Sequence, residues 1–254
     1  MKDIRSILNE FEAITLGEMD KKELMNRTDT KFVFPQSKLP ELLQVLKPHY
    51  QVLDVDGNRI SRYESLYFDT PDFDLFHHHR RGKLNRHKVR YRKYVESDLN
   101  FFEIKFKNNK NRTIKDRVRE ERMESAIKNK AEELLNRSTG LRAEKLEAKF
   151  WVNFSRITLV SKHSAERTTI DTDLHFHRNG IKNNIENLVI AEVKQEIAGH
   201  SPFIRLMKKQ HIRPGSLSKY CYGVIHFFKD IRHNTFKSNL RKINKVIYGT
   251  SASA

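Results

Sequence analysis

The sequence predicts an α+β protein whose strands make a barrel. Alternation of charged and apolar residues, the period of a strand, recurs in at least seven segments between Lys31 and Glu196. A further strand over residues 61–68 would complete the even number that an antiparallel barrel needs. Apolar residues at helical spacing occur towards both ends of the chain and once in its middle.

The first twenty residues are predicted to form an amphipathic helix. Four apolar residues from Ile4 to Ile14 follow one another at intervals of three or four, which places them on one face. We interpret residues 1–20 as a helix that docks on the domain or binds a partner. A second helical stripe, made of leucines, lies between Pro35 and Pro48.

Four predicted strands share one design, with charged side chains on one face and apolar side chains on the other. Alternate residues of a strand point to opposite faces, so the cations of each segment lie together. The charged faces hold Arg27, Asp29 and Lys31, then Lys88, Arg90 and Arg92, then Glu103, Lys105 and Lys107, and finally Lys115, Arg117 and Arg119.

The rest of the chain is predicted to contain further strands and helices. Period-two patterns predict strands over residues 156–160, 166–173 and 188–196. Apolar stripes predict helices over residues 120–137, 201–211 and 217–230. We expect one domain over residues 21–232, followed by a basic, loosely ordered tail over residues 233–254.

Composition limits the class of protein and of partner. The 254 residues include 49 Lys and Arg against 32 Asp and Glu, a net charge of +17, and 37% of them are hydrophobic. Such a chain is too apolar for a disordered basic tail. Its positive field favours polyanions: nucleic acid, an anionic membrane surface or phosphate compounds.

No export signal or membrane span is evident. No window approaches the ~18 apolar residues of a spanning helix, and charges occupy the start of the chain, where a signal peptide needs an apolar stretch. We therefore expect a cytoplasmic protein, free or at the inner face of the membrane. The single cysteine, Cys221, excludes an intrachain disulfide and a Cys-based zinc cluster.

Cations at alternate positions of several strands predict an anion site. One charged strand face is usually solvated, but several together repel one another unless an anion lies among them. Glu103 beside Lys105, and Glu192 beside Lys194, predict Mg²⁺ or Mn²⁺ held against bound phosphates, because these ions prefer oxygen ligands. The alternative is that each glutamate only pairs with its neighbouring lysine.

Six short motifs follow one another along the chain: Arg27-Thr-Asp-Thr-Lys31, Ser65-Leu-Tyr-Phe-Asp-Thr70, Lys88-Val-Arg-Tyr-Arg92, Phe102-Glu-Ile-Lys105, Ala191-Glu-Val-Lys194 and Leu217-Ser-Lys-Tyr-Cys221. Together they resemble the VTC domain, the catalytic part of polyphosphate polymerases, within the triphosphate tunnel metalloenzymes. The resemblance runs from about Leu24 to Val224. It implies a closed, eight-stranded antiparallel barrel around a basic tunnel, with helices outside.

The resemblance also implies roles for individual residues. The residues expected to act on the reacting phosphates are Arg90, Arg92, Lys105 and Glu192. The phosphate-binding set contains those three cations and also Lys31, Lys115, Arg156, Arg167 and Lys219, to which strand parity adds Arg117 and Lys194. The expected ligands of Mn²⁺ or Mg²⁺ are Glu192 and, from its place among cations, Glu103.

The chain departs from the family pattern at two places. The wider superfamily opens with Glu-x-Glu-x-Lys, whereas Arg27 and Asp29 precede Lys31 here, which weakens a metal role for this strand. Ser216 stands where the eukaryotic polymerases have a lysine, which predicts weaker contacts with the acceptor chain. Family members elsewhere are tied to membrane segments, so a separate membrane protein is an expected partner.

Two phosphoryl-transfer reactions fit one tunnel. In a polymerase, the terminal phosphate of polyphosphate attacks the γ-phosphorus of ATP and ADP leaves, so no side-chain nucleophile is needed. In a hydrolase, a carboxylate such as Glu103 or Glu64 would orient water against triphosphate or polyphosphate. The motifs favour the polymerase.

Two non-catalytic alternatives remain open in the sequence. Tyr63, Tyr67, Tyr91 and Phe101 are interleaved with cations and could stack bases in a nucleic-acid-binding module, although no recognition motif of that class is present. A sensor of polyphosphate or inositol phosphates would use the same cations without turnover. The run His77-His78-His79 is expected in a surface loop, because consecutive histidines point in divergent directions.

Overall fold

The computed structural model describes residues 3–21, 27–110, 112–196 and 199–249, and its strands belong to a single sheet. The strands are β1 (Ala13–Ile14), β2 (Thr28–Pro35), β3 (Tyr50–Leu53), β4 (Ser61–Asp69), β5 (Arg86–Tyr94), β6 (Leu99–Lys107), β7 (Thr113–Glu120), β8 (Glu147–Ser161), β9 (Glu166–Arg178), β10 (Ile181–Asn184) and β11 (Leu188–Gln195). The helices are α1 (Ile4–Asn9), α2 (Leu16–Asp20), α3 (Leu39–Leu46), α4 (Asp74–Arg80), α5 (Asn129–Ser138), α6 (Pro202–Lys209), α7 (Lys219–Phe227) and α8 (Lys237–Tyr248).

The main path of the sheet is antiparallel throughout but is not closed. Its order is β2-β11-β9-β8-β4-β5-β6-β7, and β2 and β7 do not pair with each other within the described residues. The α+β class and the large antiparallel sheet are confirmed, whereas the predicted closed barrel is not. Strand β7 is mostly exposed along its length, so little apolar burial favours its pairing with β2.

The sheet curls so that its two ends approach each other on the charged side. Lys105 of β6 lies near enough to Lys31 of β2 and Lys194 of β11 for both charges to lower its pKa. In the sheet order, β6 and β2 are separated by five intervening strands. We call this side of the sheet the concave face and the other side the convex face.

Apolar side chains on the convex face bind most of the helices. Phe32, Phe34 and Leu159 are buried in a core with α1, α3 and α6, and Leu43 of α3 has no exposed surface. A second core joins β4, β5 and β6 to α5 through residues such as Leu135. The predicted outside position of the helices is therefore correct for these elements.

Helices α7 and α8 lie instead on the concave side, where Phe76 of α4 also packs. The ring of Tyr220 in α7 lies 5.2 Å from that of Tyr67 and 6.0 Å from that of Phe150, which share the concave face with the cations. A Cβ atom on Gly223 would come within 2.2 Å of the Phe150 ring, so glycine permits this close packing. Aromatic rings of β4 and β8 cover part of the concave face, and burial of these rings holds α7 there.

The C-terminal residues also differ from the prediction. The tail that the sequence predicts to be loosely ordered contains α8, whose Ile243 is 3% exposed in the same aromatic core as Tyr220. Its apolar residues at helical spacing, among them Leu240 and Ile243, are diluted by many cations, which obscures the pattern in the sequence.

Several boundaries differ from those predicted. Helix α1 ends at Asn9, and Ile14 pairs with β3 instead of continuing the helix. Strand β7 occupies the chain up to Glu120, and helix α5 begins only at Asn129, after a connecting segment. The three consecutive histidines lie in α4 and not in a loop. Within the described residues, no helix has the length and apolar character required to cross a membrane.

Candidate functional site

Strand register gathers the predicted site residues on the concave face. Lys105 faces Lys88 on one side and Lys115 on the other, and Glu192 faces Lys31 across β11 and β2. Helix α7 adds its first residue, Lys219, from above the sheet. The charged residues of the concave face include Asp29, Lys31, Arg86, Lys88, Arg90, Arg92, Glu103, Lys105, Lys107, Lys115, Arg117, Arg119, Arg156, Arg167, Asp171, Glu192 and Lys194.

Glu103 anchors three cations at one end of this face. Its carboxylate is 2.6 Å from Nη2 of Arg90, 2.5 Å from Nζ of Lys115 and 3.9 Å from Nη1 of Arg92. Glu103 is only 1% exposed, and although burial opposes ionisation, the cations led by Arg90 hold the pKa of its carboxyl well below the ordinary range. Tyr67 accepts a further hydrogen bond of 2.9 Å from Arg90.

Asp171 anchors a second group of cations. Nε and Nη2 of Arg156 lie 2.6 and 2.9 Å from its two oxygens, and Nζ of Lys219 lies 2.5 Å away. Asp171 is 4% exposed, and Arg156 and Lys219 lower the pKa of its carboxyl against the effect of burial. Asp171 fixes the position of both cations, a role that no motif in the sequence indicates.

Glu192 occupies a more accessible position. Its carboxylate pairs with Lys31, and its second oxygen is 3.0 Å from Nζ of Lys194. The side chain of Glu192 is 20% exposed to solvent, whereas that of Glu103 is 1% exposed. No group of three or more His, Cys, Asp or Glu residues able to hold a metal occurs in the described part of the chain.

The arginines of β5 and β8 are fixed by neutral partners as well as by carboxylates. Nε of Arg92 donates a 3.1 Å hydrogen bond to the Ser65 hydroxyl, and its guanidinium lies 5.4 Å from the centre of the Tyr63 ring. Arg156 lies 5.0 Å from the same ring. Tyr63 is only 8% exposed, so its ring supports cations and offers no open platform for a base.

The other two tyrosines considered for base stacking are also covered. Tyr67 is 5% exposed and packs against α7, and Tyr91 is 1% exposed on the convex face. Phe101 lies beneath the guanidinium of Arg117, at 4.7 Å. This arrangement argues against the nucleic-acid-binding alternative, because sequence-independent binding of single strands needs accessible rings.

Among the predicted cations, Lys105 has the fewest interactions that offset its positive charge. Its side chain makes no ion pair or hydrogen bond with the described residues. Protein surrounds the ammonium group although solvent can reach it, and this loss of hydration lowers its pKa to about 7, with Lys88 and Arg90 adding to the effect. An anion at this position would restore the charged form.

Two predicted cations belong to the concave face but extend away from its centre. Arg117 is exposed on β7 and covers Phe101. Arg167 donates a 3.1 Å hydrogen bond through Nη2 to the carbonyl oxygen of Met19 in α2. The structure also identifies Lys88, which stands in a quoted motif but not in the predicted site, as a central residue: its Nζ donates 3.1 Å to the Ser218 hydroxyl.

The lowered lysine pKa values predict how stability depends on pH. In the folded protein the pKa is about 8 for Lys31 and Lys115 and about 7 for Lys105 and Lys194, and in each case burial is the main cause. An unfolded lysine has a pKa of about 10.4. Between about pH 7 and pH 10 the unfolded chain therefore binds more protons, and the free energy of unfolding rises with pH.

Urea denaturation at pH 7, 8 and 9 in low salt would measure this rise. The change is expected to be smaller in Lys105→Met, which lacks one of the titrating groups. Lys93→Met is the matched control, because Lys93 is on the same hairpin, faces away from the concave face and pairs with Asp98. A fall in stability from pH 7 to pH 9 would contradict the described crowding of lysines.

Comparisons with known proteins agree with this architecture. The solved structures similar to this chain include a protein from Hippeastrum, provisionally named an adenylyl cyclase and reported to have a dominant triphosphatase activity. The two share 13% sequence identity with a TM-score of 0.50, over 82% of this chain and 100% of that one. At this level of identity the likeness shows the fold alone.

Two bacterial structures are also similar, both provisionally named adenylate cyclases. The Bacillus halodurans protein has 15% identity and a TM-score of 0.48, over 80% of this chain and 100% of its own. The Vibrio parahaemolyticus protein has 11% identity and a TM-score of 0.47, over 78% and 99% respectively. No curated protein matches the sequence.

The family assignment comes from the sequence of the domain itself. The VTC domain model matches residues 26–228, a span that contains every strand from β2 to β11 and helix α7. This span also contains Arg90, Lys105 and Glu192, which the concave face brings together. The chain therefore belongs to the VTC domain family.

Proposed function

We propose that this protein transfers the γ-phosphate of ATP to a growing polyphosphate chain. The observation that carries the proposal is the excess of cations over carboxylates on the concave face, where Lys31 and Lys115 pair with carboxylates but Lys105 between them has no anionic partner among the described residues. A linear polyanion can contact many of these cations at once, whereas a single phosphate cannot. Rigid strands hold them, which reduces the entropy lost on binding.

Arg90 and Arg92 are the proposed contacts for the reacting triphosphate. Phosphoryl transfer depends mainly on positioning and on neutralisation of charge on the transferred group. Glu103 and Tyr67 fix the guanidinium of Arg90, and Ser65 fixes that of Arg92. Because guanidinium groups can bind phosphate oxygens in a bidentate manner, this arrangement presents preorganised donors to the transition state.

We propose that Lys105 and Lys31 become fully protonated when the substrate binds. At neutral pH a fraction of Lys105 is unprotonated, since its pKa is about 7 in the free protein. A phosphate beside it would favour the protonated ammonium form and so draw a proton into the site. Substrate binding is therefore coupled to proton uptake.

Glu192 fits a divalent metal better than Glu103 does. Its partly exposed oxygens lie on the open part of the concave face, and Mg²⁺ commonly binds one or two carboxylates together with substrate phosphates. Glu103 is buried beneath three cations, so its role as a ligand stays a prediction. A metal held by Glu192 would neutralise charge on the phosphate oxygens.

The proposed reaction needs no side-chain nucleophile. An oxygen of the terminal phosphate of the chain forms a bond to the γ-phosphorus of ATP, and the bond from that phosphorus to the bridging oxygen of ADP breaks. The two carboxylates considered for activating water give little support for hydrolysis. Glu64 lies on the convex face, and the low pKa of Glu103 makes it a weak base.

Hydrolysis of triphosphate remains the second candidate, because the similar Hippeastrum protein is reported to have that activity.

The deciding experiment incubates the protein with γ-labelled ATP, Mn²⁺ and a short polyphosphate primer. If the protein is a polymerase, the label appears in polymeric phosphate and an equal amount of ADP is released. Label found only as free phosphate would favour the hydrolase, and no release of ADP would favour a sensor.

Glu192→Gln is expected to lower the rate of this reaction about a hundredfold, because it removes a charge that could hold the metal. Glu64→Gln is the matched control and is expected to retain the wild-type rate, since Glu64 lies on the opposite side of the sheet. Equal activity of Glu192→Gln and wild type would refute the assignment of Glu192. Transfer of the product to a separate membrane protein stays a prediction.

A further inference from the structure

A cavity of about 1000 Å³ lies on the convex side of the sheet, away from the residues proposed to bind phosphate. It forms where β5 and the end of β7 meet the segment that leads into α5. Glu120 is the last residue of β7, and strand register places it on the same side of the sheet as Val118 and Tyr91. The volume is in the range of pockets that bind small molecules.

Tyr91 presents an unpartnered hydroxyl group to this cavity. The residue is only 1% exposed, and the centre of its ring lies 5.7 Å from that of Phe68 and 5.0 Å from that of Phe102. The hydroxyl makes no hydrogen bond with the described residues, although Tyr91 lines the cavity. Because buried hydroxyl groups are normally paired, this one has a free position that a ligand could fill.

Two carboxylates lie close to this hydroxyl. Burial raises the pKa of Tyr91, and the charges of Glu120 and Glu124 raise it further. The Oε1 atom of Glu120 is buried without a hydrogen-bond partner within the described residues. Burial also raises the pKa of Glu120, although Lys130 and the N–H group of Ala131 act in the opposite direction. The inner part of the cavity therefore combines a hydroxyl group with a carboxylate that lacks a donor.

The mouth of the cavity differs in charge from its inner part. Lys128 and Lys130 line it, both are exposed, and neither forms an ion pair or hydrogen bond with the residues that the structure describes. Arg122 also lines it and is 83% exposed in its pair with Glu124. Cations outnumber carboxylates among the described lining residues that are exposed.

These features argue against simpler ligands. A bare anion would meet the carboxylates of Glu120 and Glu124 in the inner part of the cavity. A polyamine would bring several positive charges to the exposed lysines of a protein whose net charge is +17. The described residues contain no group of three or more His, Cys, Asp or Glu side chains that could hold a metal ion here. A ligand with both signs of charge avoids these conflicts.

We propose that this cavity binds a basic amino acid, a small molecule with a guanidinium or ammonium group at one end and a carboxylate at the other. The cationic end would donate hydrogen bonds to the Glu120 carboxylate and the Tyr91 oxygen, and the carboxylate would lie beside Lys128 and Lys130. Charge-assisted hydrogen bonds of this kind are stronger than neutral ones. The inference is independent of the proposed function, because Tyr91 and Glu120 lie on the opposite face of the sheet.

Isothermal titration with L-arginine and with agmatine, which is arginine without its carboxylate, tests this proposal. The wild-type protein is expected to bind arginine at least about tenfold more tightly than agmatine, which corresponds to about 1.4 kcal/mol. Tyr91→Phe is expected to weaken the binding of arginine about tenfold, and Glu120→Gln at least as much. Tyr91→Phe keeps the ring that packs against Phe68 and Phe102, so this variant is expected to fold.

Tyr94→Phe is the matched control and is expected to bind arginine as the wild type does, because Tyr94 lies on the same strand but faces the concave side. Wild-type affinity in Tyr91→Phe would overturn the proposal, as would the absence of binding up to about 10 mM arginine. Equal affinities for arginine and agmatine would also overturn it, because the carboxylate would then contribute nothing.

Discussion

Arg90→Ala is expected to lower ATP-dependent phosphoryl transfer by at least about a thousandfold, the order of effect seen when an arginine that stabilises transferred phosphate is removed. Glu103 and Tyr67 orient the Arg90 guanidinium, so it can donate to phosphate without reorganisation. The variant leaves Glu103 paired with Lys115, which limits the cost to the fold. Rates would be measured from ADP release at saturating Mn²⁺.

Two further variants make this prediction specific. Arg90→Lys keeps the charge but cannot contact both Glu103 and Tyr67 as the guanidinium does, so an intermediate rate is expected. Arg62→Ala is the matched control, because Arg62 is 67% exposed, pairs with Glu96 and belongs to the convex face. A wild-type rate in Arg90→Ala, with unchanged thermal stability, would remove Arg90 from the site.

Tripolyphosphate is expected to raise the melting temperature by about 5–10 °C. A ligand present at a hundred times its Kd stabilises the native state by about 2.7 kcal/mol. For a chain of this size each kcal/mol corresponds to about 2–4 °C. The physical source is the relief of repulsion among lysines such as Lys31, Lys105 and Lys194, whose charges lie close together in the free protein.

Differential scanning fluorimetry with tripolyphosphate and with sodium chloride at equal ionic strength would separate binding from general screening. The shift is expected to shrink in Arg90→Ala and to persist in Arg62→Ala. An unchanged melting temperature at saturating tripolyphosphate would show that the concave face does not bind it.

The strands and their charged faces could be predicted because strand geometry has a period of two. A segment such as Lys88-Val-Arg-Tyr-Arg92 shows by its order alone that three cations share one face. The register across strands could not be predicted in the same way. The pairing of Arg156 with Asp171 depends on how β8 aligns with β9, which no local pattern encodes.

Local sequence patterns also could not predict whether the sheet closes or where α7 packs. Whether β2 pairs with β7 depends on the summed curvature and charge of the whole sheet. The aromatic part of the concave face arises from Tyr63, Tyr67, Phe150 and Phe154, which come from two strands and become one surface only after β4 pairs with β8. Helix α7 buries that surface. A prediction that places the helices on the outside of the sheet does not include this contact.

The candidate site was most predictable where a motif and strand parity agreed. Arg90, Lys105 and Glu192 satisfy both, and all three lie on the concave face. Asp171 has no motif, and its importance appears only through its contacts with Arg156 and Lys219.

A crystal structure of the protein with tripolyphosphate and Mn²⁺ would show whether the concave face binds the anion. Phosphate density is expected along the concave face, with oxygens within hydrogen-bond distance of Arg90, Arg92 and Lys105. Density confined to the outer surface, for example at the exposed cations of α8, with the side chains of the concave face unchanged and without bound anion, would contradict this expectation.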